Sequence, residues 1–227
     1  MRHLLPLVAA VLPLVAAPAA RAQGPALPER VLVDGDEVRR IRFEGIPWQR
    51  AKQGLSSSGD PIWADELLST SDGGVHLRLR LEAFEGSGAA LKVGGAYIIL
   101  DGPDGHFAVE GEWYGSRLQK LAPIAEHAKP GKPFDLQVTR LGGALSIVVA
   151  GSNLSTIDIG SAALGEVGVI PGRARLSIER FALLGSTVPP PPPAGDPVLQ
   201  GQVEAAIQRG VLWLLRHQMA DGTWGMM

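Results

Sequence analysis

Glu110-Gly111-Glu112 sets two carboxylates two residues apart. On an extended strand, side chains at i and i+2 share a face, at a separation broadly like the about 5 Å used by retaining glycosidases. At that separation one carboxylate can attack a sugar carbon while the other protonates the leaving oxygen. Trp113 and Tyr114 follow directly, and Trp48 and Trp63 lie further upstream. Flat rings of this kind stack on sugars when they stand on a half-exposed surface, and fill cores when they do not. Trp48, Trp63, Trp113 and Tyr114 are therefore the candidate binding contacts. Non-catalytic recognition of a glycan or protein surface is the leading expectation. Glycan hydrolysis by Glu110 and Glu112 is the alternative, and a purely structural assembly role is the third reading.

Other chemistries find fewer residues to work with. His76, His106 and His127 are scattered, without a histidine or carboxylate at ligand spacing, so no metal site is expected. Asp101 and Asp104 in Asp101-Gly102-Pro103-Asp104-Gly105 have the oxygen-rich loop character that suits calcium, yet turn chemistry accounts for both. Asp34-Gly35-Asp36-Glu37, between Val33 and Val38, reads as a turn on the same grounds. Gly54-Leu55-Ser56-Ser57-Ser58-Gly59 lacks the alternating glycine-serine-glycine elbow of a serine nucleophile. No glycine-rich phosphate cradle joins a strand to a helix, and no cofactor is expected.

The elements that must position these residues repeat with a period of two. Val75, Leu77, Leu79, Leu81 and Ala83 alternate with His76, Arg78, Arg80 and Glu82, which separates apolar from charged groups on the two faces of a strand. Residues 133–150 read as a hairpin turning at Gly142-Gly143. Ala96 to Leu100 and His106 to Glu110 flank the Asp101–Gly105 turn. Further strands are expected over 157–159, 167–170 and 176–184. No stretch from Arg30 to Leu184 keeps helical spacing for three turns. The expectation is a mainly β fold, a two-sheet antiparallel β-sandwich or jelly roll over 30–185.

Both ends depart from this rhythm. Arg2 and His3, an apolar run from Leu4 to Ala17 and Ala20-Arg21-Ala22 form a secretory signal, with cleavage before Gln23 expected. Export to a periplasmic or extracellular space follows, with no membrane span left after cleavage. Losing residues 1–22 removes Arg2 and Arg21, so a formal charge of −2 falls by two to −4, which argues against a nucleic-acid partner. The chain holds no cysteine, so packing must hold the fold without disulfides. Five consecutive prolines from Pro189 mark 186–197 as an extended linker. Beyond it, Val203, Ala206, Ile207, Gly210, Val211, Leu214 and Leu215 form one apolar stripe of a C-terminal helix over 198–227. A single helical unit cannot bury such a stripe alone, which implies the front end of a longer, stacked-helix array.

Arg209-Gly210, Trp213-Leu214, Gln218 and Gly222-x-Trp224 resemble the glutamine-tryptophan repeat of the squalene-hopene cyclase and prenyltransferase superfamily. The resemblance covers about a tenth of the chain. It implies the first, truncated repeat of a terpenoid-cyclase-type toroid, in which Gln218 and Trp224 staple neighbouring helices and catalyse nothing. The aspartate-rich acid motif of the cyclases is missing. Residues 30–185 are similar to concanavalin A-like and laminin G-like jelly rolls, through Val75 to Arg80, Ser87 to Leu91, Phe134 to Val138 and the closing segment Arg175 to Leu184. That resemblance implies carbohydrate or protein binding. The jelly-roll glycosidases of this kind use a glutamate-x-aspartate-x-glutamate run, of which the third acid is absent here.

Overall fold

The alternation from Val75 to Leu81 becomes the centre of a long strand, with Val75, Leu77, Leu79 and Leu81 each fully buried. Burying one such leucine contributes about 2 kcal/mol, and the charged residues between them stay on the opposite face. The structure, a computed structural model, describes residues 27–51, 53–57, 59–191 and 206–207. The expected signal segment over 1–22 lies outside the described residues. So does the expected C-terminal repeat, including Arg209, Gly210, Trp213, Gln218, Gly222 and Trp224.

Sixteen strands form among the described residues. The first eight are β1 (Glu29–Asp34), β2 (Glu37–Val38), β3 (Ile41–Phe43), β4 (Gln49–Ala51), β5 (Gly54–Ser56), β6 (Ile62–Ala64), β7 (Leu67–Leu81) and β8 (Ala90–Val93). The second eight are β9 (Ala96–Ile99), β10 (His106–Gly111), β11 (Gly115–Pro123), β12 (Phe134–Leu141), β13 (Ala144–Val149), β14 (Ser152–Asp158), β15 (Val167–Ile170) and β16 (Leu176–Val188). They make two antiparallel sheets. One runs β14-β13-β12-β7-β16-β1-β2, with β5 pairing to β16 and β4 to β5; the other runs β11-β10-β9-β8-β15-β6-β3. The inner faces meet in one apolar core that joins Leu77, Leu136, Ile147 and Phe181 to Leu91, Ile98, Phe107 and Val169. This is the expected two-sheet sandwich.

Local expectations fare well where turn chemistry was explicit. β12 and β13 pair from Leu136↔Val149 to Leu141↔Ala144 around Gly142-Gly143. Val33 pairs with Val38 and Asp34 with Glu37, so the acidic run is a hairpin turn. The pattern break at Gly185 is a bulge, because β16 continues to Val188 and Thr187 pairs with Leu68.

Candidate functional site

The outer face of the nine-stranded sheet is a lattice of mutually satisfied charges. Arg78 donates to Asp135 Oδ2 at 2.8 Å and to Glu179 Oε2 at 3.2 Å, and Arg180 reaches Glu29 at 3.0 Å. Its strands β7, β12 and β13 expose no Trp, Tyr or Phe. Such a face is well solvated and offers nothing for an apolar ligand surface to rest on.

The seven-stranded sheet differs. Ile62, Ala64, Leu91, Val93, Ala96 and Ile98 are buried, so the period of two turns Trp63, Lys92 and Tyr97 outward. Pairing then aligns them: Arg42 opposes Trp63, Trp63 opposes Gly168, Gly168 opposes Lys92, Lys92 opposes Tyr97, and Tyr97 opposes Glu110. Six strands thus contribute one residue each to a straight row across the sheet.

Each ring in the row is held in place. The Trp63 indole lies over Gly168, and its Nε1–H donates to Glu44 Oε2 at 2.7 Å. Tyr97 packs on a small outer patch of Ala90, Ile99 and Ala108. Between the rings, the Lys92 ammonium stands 5.2 Å from the Trp63 centroid and 6.0 Å from that of Tyr97. Glu166 fixes it, accepting from Lys92 Nζ at 2.9 Å and from Arg42 at 3.3 Å. The Glu110 carboxylate, on a half-buried residue beside Tyr97, has no hydrogen-bond or ion-pair partner among the described residues. The arrangement can stack two apolar ring faces and present a fixed donor, a fixed acceptor and one unused carboxylate between and beside them.

The sequence-derived candidates disperse. Trp63 alone of the four aromatic residues stands in this row. Trp48 is 4% exposed and donates from Nε1 to the Asp60 carbonyl at 2.6 Å, so its faces belong to the core. Tyr114 is 7% exposed; burial pushes its phenol above the ordinary value, against the opposing pull of a 3.3 Å hydrogen bond with Ser155. Trp113 packs against the core and against the Gly94-Gly95 turn.

The acid pair does not form as expected. β10 ends at Gly111, whose φ of +115° breaks the strand alternation, and Glu112 falls in the turn before β11. Glu110 and Glu112 therefore do not share a strand face. The loop aspartates are also accounted for. Asp101, 1% exposed, accepts from the amides of Glu85, Gly86 and Ser87 at 3.1, 3.0 and 2.8 Å. Asp104 pairs with Lys120, which holds its carboxyl below the usual value. His76 contacts Asp135 at 3.2 Å, His106 contacts the Asp104 carbonyl, and His127 packs near Phe107. No group of three potential metal ligands gathers among the described residues.

Sequence reasoning missed Lys92, Tyr97 and Glu166. The local signal for the first two was present: each is an odd residue between apolar neighbours, in Leu91-Lys92-Val93 and Ala96-Tyr97-Ile98. What joins them to Trp63 is register between strands far apart in sequence, which no local pattern carries.

No family model matches this chain, and no curated protein does. Solved structures do. The exoplasmic/lumenal domain of VIP36, in its Ca2+/Man-bound form, aligns with a TM-score of 0.54 at 14% identity, covering 70% of this chain and 90% of that one. Crh5 transglycosylase in complex with NAG aligns with a TM-score of 0.51 at 10% identity, covering 72% and 86%. The Man3GlcNAc-bound VIP36 domain scores 0.50 at 15% identity, covering 67% and 86%. These neighbours are jelly-roll β-sandwiches, and this chain shares that fold. No helix among the described residues is long and apolar enough to cross a membrane.

Proposed function

We propose that this chain is a glycan-binding module whose contact surface is the outer face of the seven-stranded sheet. One observation carries the reading: two immobilised rings, Trp63 and Tyr97, flank a fixed Lys92–Glu166 pair on a solvent-facing sheet. Sugars present C–H faces that stack on rings and hydroxyls that both donate and accept, and this row supplies both kinds of partner. The mannose-bound and NAG-bound neighbours support the reading at the level of fold alone. The test is a glycan array with the full chain alongside Trp63→Ala and Tyr97→Ala. Retention of binding to one glycan class by the parent and its loss in both variants is the expected result. A blank array for the parent, with a protein neighbour captured by cross-linking, would favour the structural assembly role.

A catalytic reading has one observation in its favour, the unpartnered Glu110 in the same row. With Glu112 in a turn, a second acid on that strand face is lacking, and binding is the stronger reading. Release of reducing sugar by the parent, abolished in Glu110→Gln/Glu112→Gln while binding survives, would reverse that order.

The module is further read as exported and carried at the front of a helical toroid. The basic and apolar N-terminal run and the Gln218/Trp224 repeat motif support this. A mature N-terminus at Gln23, read by sequencing the secreted product, checks the first half.

A further inference from the structure

Resting on the glycan-binding reading of the same face, we propose that the ligand is a neutral, linear polysaccharide bound by an internal segment that runs across the strands, with at least three consecutive sugars engaged. The direction comes from the register. Trp63, Gly168, Lys92, Tyr97 and Glu110 occupy successive strands β6, β15, β8, β9 and β10, so the line of contacts is perpendicular to the strands.

The length comes from where the rings lie. The indole sits over Gly168 on β15, and Tyr97 stands on β9, two strands further on. Two strand spacings put the rings about 10 Å apart, roughly two pyranose lengths of an extended chain. The Lys92 distances to the two centroids, 5.2 and 6.0 Å, agree with that span. A single sugar cannot touch both rings. A trisaccharide can, with its outer units on Trp63 and Tyr97 and its middle unit over Lys92 and Glu166.

The row does not end in a wall that would select a chain terminus. Beyond Trp63 lies Arg42, beyond Tyr97 lies Glu110, and both point outward along the same line. Neutrality follows from the charges. Glu166 offsets Lys92 and Arg42 at short range, while Glu44 and the unpartnered Glu110 leave the face with an excess of carboxylate. A uronate or sulfated chain would be repelled, whereas sugar hydroxyls can donate to Glu110.

The experiment is calorimetric titration of the full chain with β-1,4-linked glucose and mannose oligomers of one to six units, and with polymannuronate. Affinity is expected to rise at least tenfold from disaccharide to tetrasaccharide and then level off. Tyr97→Ala should remove that gain, leaving tetrasaccharide affinity near the disaccharide value, while Tyr97→Phe, which keeps the ring, retains it. Equal affinity for disaccharide and hexasaccharide would overturn the extended-chain inference and leave glycan binding standing. Preference for polymannuronate would overturn neutrality. Binding of none of the oligomers by a chain that is positive on the glycan array would overturn the linear-chain inference and leave glycan binding standing, whereas a dimer in sedimentation that Trp63→Ala dissociates would overturn the glycan reading itself.

Discussion

The Trp63 indole rests on the backbone of Gly168 so closely that a β-carbon there would stand 2.1 Å from its ring. The ring can lie flat only because β15 has no side chain at that point. Gly168→Ala must therefore tilt the indole off the sheet, at a cost of about 1 kcal/mol in stability by overpacking. The larger effect falls on recognition, since the stacking face is no longer coplanar with the row. At least tenfold weaker glycan binding is expected, and Trp63→Ala/Gly168→Ala should be no weaker than Trp63→Ala alone. Additive losses in that double-mutant cycle would place Gly168 outside the binding surface.

Asp101 holds the 85–87 loop by three amide hydrogen bonds from a position that is 1% exposed. Asp101→Ala removes the acceptor of three loop amides, a loss of about 2 kcal/mol, and Asp101→Asn, which keeps one acceptor oxygen, should lose less. Denaturant midpoints of the two variants measure the order. Because the carboxylate oxygens already face amides, millimolar calcium should leave the melting temperature unchanged. A calcium-dependent rise in the parent that vanishes in Asp101→Asn would show the loop to be a cation site after all.

How far the sequence carried the reading depended on the range of the forces involved. The β7 alternation and the Gly142-Gly143 and Gly35-Asp36 turns are decided by neighbours in the chain, and their strands lie where the pattern put them. β3 to β6 are short and partly exposed, held by pairing with distant strands, and no local alternation marks them. The site divides in the same way. Trp63 was legible as an aromatic candidate, but its separation from the buried Trp48 depends on which strand each ring's neighbours pair with. The i and i+2 argument for Glu110 and Glu112 failed on one dihedral angle at Gly111, a residue free to leave the extended region.

Trp113 makes a prediction opposite to that for Trp63. Its ring fills space against Gly94 and Gly95 at the β8–β9 turn and packs on the main core. Trp113→Ala opens a cavity there, and a loss of about 2 to 3 kcal/mol is expected, with glycan affinity unchanged at temperatures where the variant is folded. Trp63→Ala should show the converse: a smaller stability change, because its ring lies on the outer face of the sheet and not against the main core, and lost binding. Thermal melts paired with titrations separate the two. A Trp113→Ala variant that melts like the parent and fails to bind would move the contact surface to the sheet end.

Glu66 joins segments that lie far apart in the sequence, Arg30 and Arg40 near the start of the described residues and Thr187 near the end of β16. The Thr187 hydroxyl, Arg30 and Arg40 all donate to its carboxylate, whose side chain is 14% exposed. Chiefly the Thr187 hydrogen bond, then those from Arg30 and Arg40, hold its pKa below the ordinary 4.5, outweighing the upward push of burial. A carboxylate depressed in the folded state stabilises the fold fully above its unfolded value. That contribution disappears as pH falls through the lower folded value. Stability should therefore be flat in this contribution above about pH 5 and decline below it. Glu66→Gln, which removes the charge but keeps an acceptor, should cost about 1 kcal/mol at neutral pH and flatten the acid limb of the profile. Denaturation midpoints measured from pH 7 to pH 3 check both. A variant whose acid limb matches the parent's would show that the titration responsible lies on another carboxylate.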